Sequence, residues 1–189
     1  MDRSDARRVA RLLAGDPEAF DQVYQEHRPR LFAFLVRLSG ESALAEDLLQ
    51  ETFLRLARAA PTLAPDTRLR PWLFTVARNL FISHRRWALL DLAKLSELRM
   101  FASLQPAPPS PFSLVAASEA ERRMEEAIAA LPLHHREVVL LCAVERLEPS
   151  EAAGVLGLAP ATVRKRLARA RAIIRTEVAA LDGEGDGKR

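Results

Sequence analysis

The sequence predicts an all-α protein built as two small helical domains joined by a proline-rich linker. Three observations carry that prediction. Ala, Leu, Arg and Glu dominate the 189 residues, while Gly and Tyr are sparse at 7 and 1, a mix that favours helices over strands. Apolar residues recur at steps of three and four through long stretches of both halves, the period of a helix with one buried face. Between the halves, residues 105–112 read QPAPPSPF, with four prolines that neither a helix nor a sheet tolerates.

The elements follow in order. The N-terminal MDRSDARRVARLLAGD is charged and lacks the apolar core of a signal peptide. Phe20, Val23, Tyr24, His27, Leu31, Leu35 and Leu38 then mark a first helix, with Pro29 inside it as a candidate kink and Ser39-Gly40 as its end. A second helix is expected over about 42–59, with Leu44, Leu48, Phe53 and Leu56 on one side. Pro61 and Pro65 bracket a loop over 60–70, and Pro71 suits the first residue of a third helix reaching about Trp87. These elements make a first domain, 16–88. Residues 89–104 are apolar and compatible with helix, and together with the proline cluster they form the expected linker, 89–118.

The second domain, 119–180, opens on Ser118-Glu119-Ala120-Glu121, the pattern of a capping box. Helices are expected near 119–130, 133–146, 149–156 and 160–180, followed by a fraying tail, DGEGDGKR.

Composition excludes several classes of function. The net charge is only +3, so a claim of nucleic-acid binding rests on local charge patterning. One cysteine, Cys142, allows no disulfide framework and no thiolate metal site; its place in the apolar run Val138–Val144 predicts a buried thiol. No stretch of 18 apolar residues exists, so no membrane span is expected, and the expected compartment is the cytoplasm. No cofactor or metal site is expected.

The most specific local pattern lies between Glu148 and Arg175. A helix-turn-helix needs a small residue where its helices cross, a residue tolerant of positive φ in the turn, and a branched apolar residue early in the second helix. Ala153, Gly157 and Val163 supply these in order, with Leu156 and Leu158 between them and Pro149 and Pro160 at plausible first helical positions. In the second helix, Val163, Leu167, Ala170 and Ile174 form an inward stripe. Residues 160–175 hold Arg164, Lys165, Arg166, Arg169, Arg171 and Arg175 and no acidic residue. Such a helix suits a major groove, where its first turns reach base edges and its other cations meet phosphate. Arg164 and Lys165 are candidates for base-edge contact, with Ala168 and Arg169 on the same side one turn later, and Arg171 and Arg175 for phosphate.

Charge is segregated in the first domain. Asp16–Ala59 carries eight acidic residues against five basic, whereas Arg68–Arg86 carries five arginines, one histidine and no acid. On the third helix, Trp72, Val76, Leu80 and Trp87 fall roughly on one side; Thr75, Arg78, Asn79, Ile82, Arg85 and Arg86 fall on the other. Asn and Arg beside aromatics suit unpaired bases, which need hydrogen bonds and π platforms together. Glu46, Asp47, Gln50 and Glu51 crowd the second helix, so acidic and basic patches imply two different partners.

Taken together these segments resemble the extracytoplasmic-function family of RNA polymerase sigma factors, over about 16–88 and 119–180. AFDQVYQEHRPRLFAFLVRLSG is similar to the first helix of the family's promoter-melting domain, AEDLLQETFLRLARA to the segment that docks on polymerase, LRPWLFTVARNLFISHRRW to the segment that opens and reads the −10 element, and LPLHHREVVLL with the helix-turn-helix to the domain that reads the −35 element. The resemblance implies a promoter-specific initiation factor without catalysis, partnered by core RNA polymerase, promoter DNA and an anti-sigma protein. It implies polymerase contacts at Asp47, Gln50 and Glu51. It implies −10 contacts at Asp66, Thr67, Arg68 and Leu69, with Arg78, Asn79, Ile82, Arg85 and Arg86, Asn79 and the loop holding an extruded base. It implies −35 contacts at Thr162, Arg164, Lys165, Ala168, Arg169 and Arg171. The family's usual Tyr-Glu-Glu-Ile-Ala before the turn is Pro149-Ser150-Glu151-Ala152-Ala153 here.

Two rival readings are weaker. A conventional repressor or activator could use the same helix-turn-helix but leaves the two-faced charge of the first domain without a role. An α-helical enzyme would need a constellation that is missing. His134 and His135 are adjacent and point about 100° apart on a helix, which prevents a shared metal, and His27 and His84 are isolated.

Overall fold

The structure is a computed structural model that describes residues 3–96, Phe112 and 118–186, and among these every regular element is helical. The chain opens with a helix that the sequence pattern did not announce, α1 (Arg3–Leu13), which buries Val9 and Leu12 completely or nearly so. Its apolar stripe is only two turns long, too short to stand out from periodicity alone. Arg11 ties its end to Asp16 at 2.7 Å, and Asp16 caps the next helix by accepting from the backbone N–H groups of Glu18 and Ala19.

That next helix, α2 (Pro17–Ser39), runs on through Pro29 and stops at Gly40, whose left-handed φ of 79° closes the last turn. α3 (Ser42–Ala59) packs against it with Leu48, Leu49, Phe53 and Leu56 inward. After a short 3₁₀ turn over Ala60–Thr62, α4 (Leu69–Ser96) starts two residues before Pro71 and runs well past Trp87, the expected end. It therefore occupies the first part of the expected linker. The remainder of that linker, apart from Phe112, lies outside the described residues. Leu69, Leu73, Phe74, Ala77, Leu80 and Phe81 seat α4 in the core, where Phe74 meets Phe34 edge-on at 5.0 Å. Trp87 does not join them: it is 66% exposed, because α4 has by then left the body of the domain.

The second half begins at α5 (Glu119–Ala130), with the Ser118 capping box formed in both directions. α6 (Leu133–Val139) passes into a π-helical segment, Leu140–Val144, then a turn in which Arg146 adopts a left-handed φ of 55°. The expected helix over 133–146 is thus present but changes pitch half-way. Cys142, expected to be buried, is only half-buried on that segment, and burial pushes its thiol pKa up. α7 (Pro149–Leu156) and α8 (Pro160–Asp186) complete the chain, each starting on its proline.

The two halves pack together. Their buried side chains form one continuous apolar cluster, with α4 packed on α7 and α2 touching α6.

Candidate nucleic-acid interface

The helix-turn-helix is assembled from α7 and α8 as the spacing requires. Ala153 is 3% exposed at the crossing, and Val163 is wholly buried. Gly157 supplies the turn with φ 65°, and its N–H reaches back to the carbonyls of Ala153 and Gly154. Leu167 and Ala170 continue the buried stripe, with Ile174 partly buried against it. The opposite side of α8 presents Arg164, Lys165, Ala168, Arg169, Arg171 and Arg175 to solvent; Thr162 is half-buried at its start. None of these cations has an ion-pair partner among the described residues. The result is a rigid, uncompensated basic face on the second helix of the motif, sized for a DNA major groove.

The acidic patch sits on α3. Asp47 and Gln50 are exposed; Glu51 is half-buried and accepts from Arg55 at 3.0 Å within the same helix. Leu54, 51% exposed, continues the same face one turn on, making it amphipathic rather than purely acidic. Its place three residues after Glu51 and four after Gln50 was the available signal in the sequence.

The basic segment of the first domain is divided. Asp66 is exposed and Thr67 half-buried in the loop before α4, but the Leu69 side chain is wholly buried and faces the core, so it offers a ligand only backbone. Asn79, Arg85 and Arg86 are exposed and Ile82 is half-buried, along the outer side of α4. Arg68 and Arg78 are occupied. Arg78 donates through Nε to Glu137 at 2.8 Å, and Arg68 pairs with Glu151.

These two pairs belong to a larger set that sequence reasoning missed. Arg70 bonds the carbonyl and carboxylate of Glu145, and Arg37 forks onto Glu125 at 2.6 Å and 3.0 Å. In all four, the guanidinium comes from the first half and the carboxylate from the second. The carboxylates are deeply placed; the side chains of Glu137 and Glu145 are 4% and 6% exposed. Burial drives the Glu145 pKa upward, opposed by Arg70. A narrow cleft of about 320 Å³ remains between the halves, bounded by Arg68, Trp72 and Thr75 on one side and Ser150, Glu151 and Val155 on the other. The only sequence hint was a glutamate set inside the apolar run after His135. Arg136, beside it, is half-buried and donates to the carbonyls of Leu131, Ala129 and Leu38, the last across the domain boundary.

On the second half, an apolar groove of about 610 Å³ opens between α5, the π-helical segment and α8. Met124, Val144, Ile174 and Val178 line it, and Arg171 and Arg175 rim it. The rings of His134 and His135 lie tilted by 47° with centroids 4.2 Å apart, and no group of three or more potential metal ligands occurs among the described residues. No helix among the described residues is long and apolar enough to cross a membrane.

The same division appears when the chain is compared with known proteins. The Sigma-70 region 2 family matches residues 23–88 and the Sigma-70 region 4 family matches residues 121–174. The chain is 33% identical to the RNA polymerase sigma factor CarQ of Myxococcus xanthus over 165 residues, covering 85% of this chain and 90% of CarQ. It is 34% identical to the ECF RNA polymerase sigma factor SigL of Mycobacterium tuberculosis over 162 residues, covering 85% of this chain and 89% of SigL. The sigma factor RpoE of Bartonella quintana, solved in complex with the anti-sigma factor NepR, superposes with a TM-score of 0.69 at 26% identity, covering 85% of this chain and 96% of that one. The chain belongs to the extracytoplasmic-function group of the sigma-70 family, the RNA polymerase sigma factors that direct transcription initiation at specific promoters.

Proposed function

We propose that this sigma factor reads two promoter elements with its two halves: α8 binds −35 duplex, and α4 with the preceding loop captures melted −10 DNA. Domain 16–88 would also hold polymerase through Asp47, Gln50, Glu51 and Leu54 on α3, and domain 119–180 would carry the −35 contact. The uncompensated basic face of α8, built on a correctly turned helix-turn-helix, is the observation that carries this reading. Arg164, Lys165, Ala168 and Arg169 stand in the first turns, where base edges are reached, and Arg171 lies on the phosphate side. Each half alone binds DNA weakly; mounting both on polymerase raises the effective concentration of the second contact once the first is made. Capturing an unpaired base draws binding energy from melted DNA and so favours opening.

The closed arrangement is the idle state in this reading. Glu137 and Glu151 sit on Arg78 and Arg68, the cations that −10 DNA would use. Polymerase opens the molecule, and an anti-sigma protein would hold it shut or mask it. No step requires catalysis by this chain.

Transcription from a matched promoter with purified core polymerase tests the division. Arg164→Ala should weaken −35 recognition by about 1–3 kcal/mol, the worth of a base-specific arginine, while co-purification with core is unchanged. Asp47→Ala should do the reverse, lowering capture by core with no change in promoter preference. Wild-type transcription by Arg164→Ala removes the −35 assignment, and wild-type co-purification of Asp47→Ala removes the polymerase assignment.

A further inference from the structure

α4 leaves the body of the first domain after Phe81, its last buried residue, and residues 83–90 are all exposed. This projecting stretch is unusual in two respects. It is basic without compensation: from Thr67 to Leu90 there is no acidic residue. Arg85 and Arg86 have no ion-pair partner among the described residues, in contrast to Arg68 and Arg78. It also exposes a large apolar surface, with Trp87 at 66%, Leu89 at 59% and Leu90 at 56%. A tryptophan is normally well buried, and an indole left in water beside two free guanidinium groups calls for an occupant.

Helical geometry relates this patch to the −10 face. Asn79, Ser83 and Trp87 follow one another at i, i+4 steps and are all exposed, so they form one ridge that winds about 80° round the axis, from the side of Asn79 to the side of Leu80. Trp87 lies about 12 Å beyond Asn79 along the axis at 1.5 Å per residue, a few nucleotides along a single strand. Arg86 borders this ridge, and Leu90 follows Trp87 at the i+3 position one turn on.

We infer that Trp87 is a stacking platform for an unpaired base, continuing the single-strand path along α4 past Asn79, with Arg85 and Arg86 taking the neighbouring phosphates. The inference rests on α4 being the −10 face. The chemistry favours nucleic acid over an acidic protein surface, because the patch pairs a planar π face with cations rather than a groove with a rim. Stacking of this kind is sequence-tolerant and salt-independent, whereas phosphate contacts release counterions. Trp87 would therefore add affinity for melted DNA of any sequence at that step. This end of α4 is also open in the closed molecule, unlike Arg68 and Arg78.

The test is equilibrium binding of holoenzyme, reconstituted from core polymerase and the full chain, to two DNAs. One is a promoter fork whose −10 strand is unpaired; the other is the same promoter as closed duplex. Trp87→Ala should weaken fork binding about tenfold, the worth of one stacked base, with the salt slope and duplex binding unchanged. Trp87→Phe, which keeps a ring, should recover most of the loss. Arg86→Ala should instead flatten the salt slope. Wild-type fork binding by Trp87→Ala overturns the inference, as does an equal loss on duplex. Loss of affinity for core before DNA is added also overturns it, since the patch would then face polymerase. If Arg86→Ala and Asn79→Ala weaken fork binding while Trp87→Ala does not, the inference alone falls. If none of the three matters, the assignment of α4 to −10 DNA falls with it.

Discussion

His27 shows how one residue can be foreseen in place but not in consequence. Its position in the apolar series of α2 marked it as facing inward, and it is 5% exposed. Its Nε2 has no hydrogen-bond partner, and burial pushes its pKa below the usual 6.5, only partly opposed by Glu26. The folded chain thus holds this imidazole neutral where the unfolded chain protonates it. Above pH 6.5 the two states bind the same number of protons at this site and it costs nothing. As pH falls below 6.5 the unfolded state takes up a proton that the folded state resists, and stability declines until the depressed folded value is reached. Denaturant titrations at pH 7.5 and 5.5 should show lower stability at the acid value, and His27→Leu should flatten the difference. An unchanged difference in His27→Leu would assign the pH dependence elsewhere. Trp87 is the converse case. Helical arithmetic put it on the side of Trp72 and Leu80, and only the point at which α4 leaves the core exposes it.

At the scale of elements, the helix-turn-helix was the most legible part of the chain, since its requirements are local. A glycine in the turn, a small residue at the crossing and a branched residue in the second helix are fixed by backbone geometry within a dozen residues. Gly157→Ala tests this directly. A Cβ there meets nothing within 4 Å, so the cost is conformational only, at a φ of 65°. Unfolding should show a loss of about 1–2 kcal/mol, the price of a left-handed L-residue; a neutral substitution would mean that the turn is not held in this conformation. Element ends were less legible. α1 has too few turns to show a period, and α4 outruns Trp87 because Ala88, Leu89, Leu90, Leu92 and Ala93 are good helix formers with no glycine or proline among them to stop it. The π-helical segment carries no signature in LLCAV, because its pitch is set by what packs on either side. Among the candidate site residues, Asn79, Arg85, Arg86, Arg164, Lys165, Arg169, Arg171 and Arg175 lie exposed as their helical phase demands. Leu69 shows the limit of assigning a whole loop by resemblance, because the residue that begins the helix also anchors it in the core.

At the scale of the molecule, what no sequence pattern disclosed was the closed arrangement. Arg37, Arg68, Arg70 and Arg78 find Glu125, Glu151, Glu145 and Glu137 across distances of 59 to 88 residues in the chain, and local periodicity holds no information about such pairs. Their energetics favour a switch rather than a fixed scaffold. Buried carboxylates are costly to desolvate, and their attraction to arginine largely repays that cost instead of adding to it. In the proposed reading, phosphates would take the place of those carboxylates on Arg68 and Arg78, so the same cations would serve both states. The central claim, that polymerase opens this molecule to free its −10 face, is tested most directly by the distance between its halves. With Cys142→Ser as background, fluorophores on cysteines placed at the exposed Gln25 and Ala130, neither of which belongs to a proposed DNA or polymerase contact, would report energy transfer in the free chain and on core polymerase. The account predicts efficient transfer in the free chain, a large drop on binding core, and the same drop without polymerase when Glu137 and Glu151 are both replaced by arginine. Undiminished transfer in a holoenzyme that opens promoter DNA would contradict it.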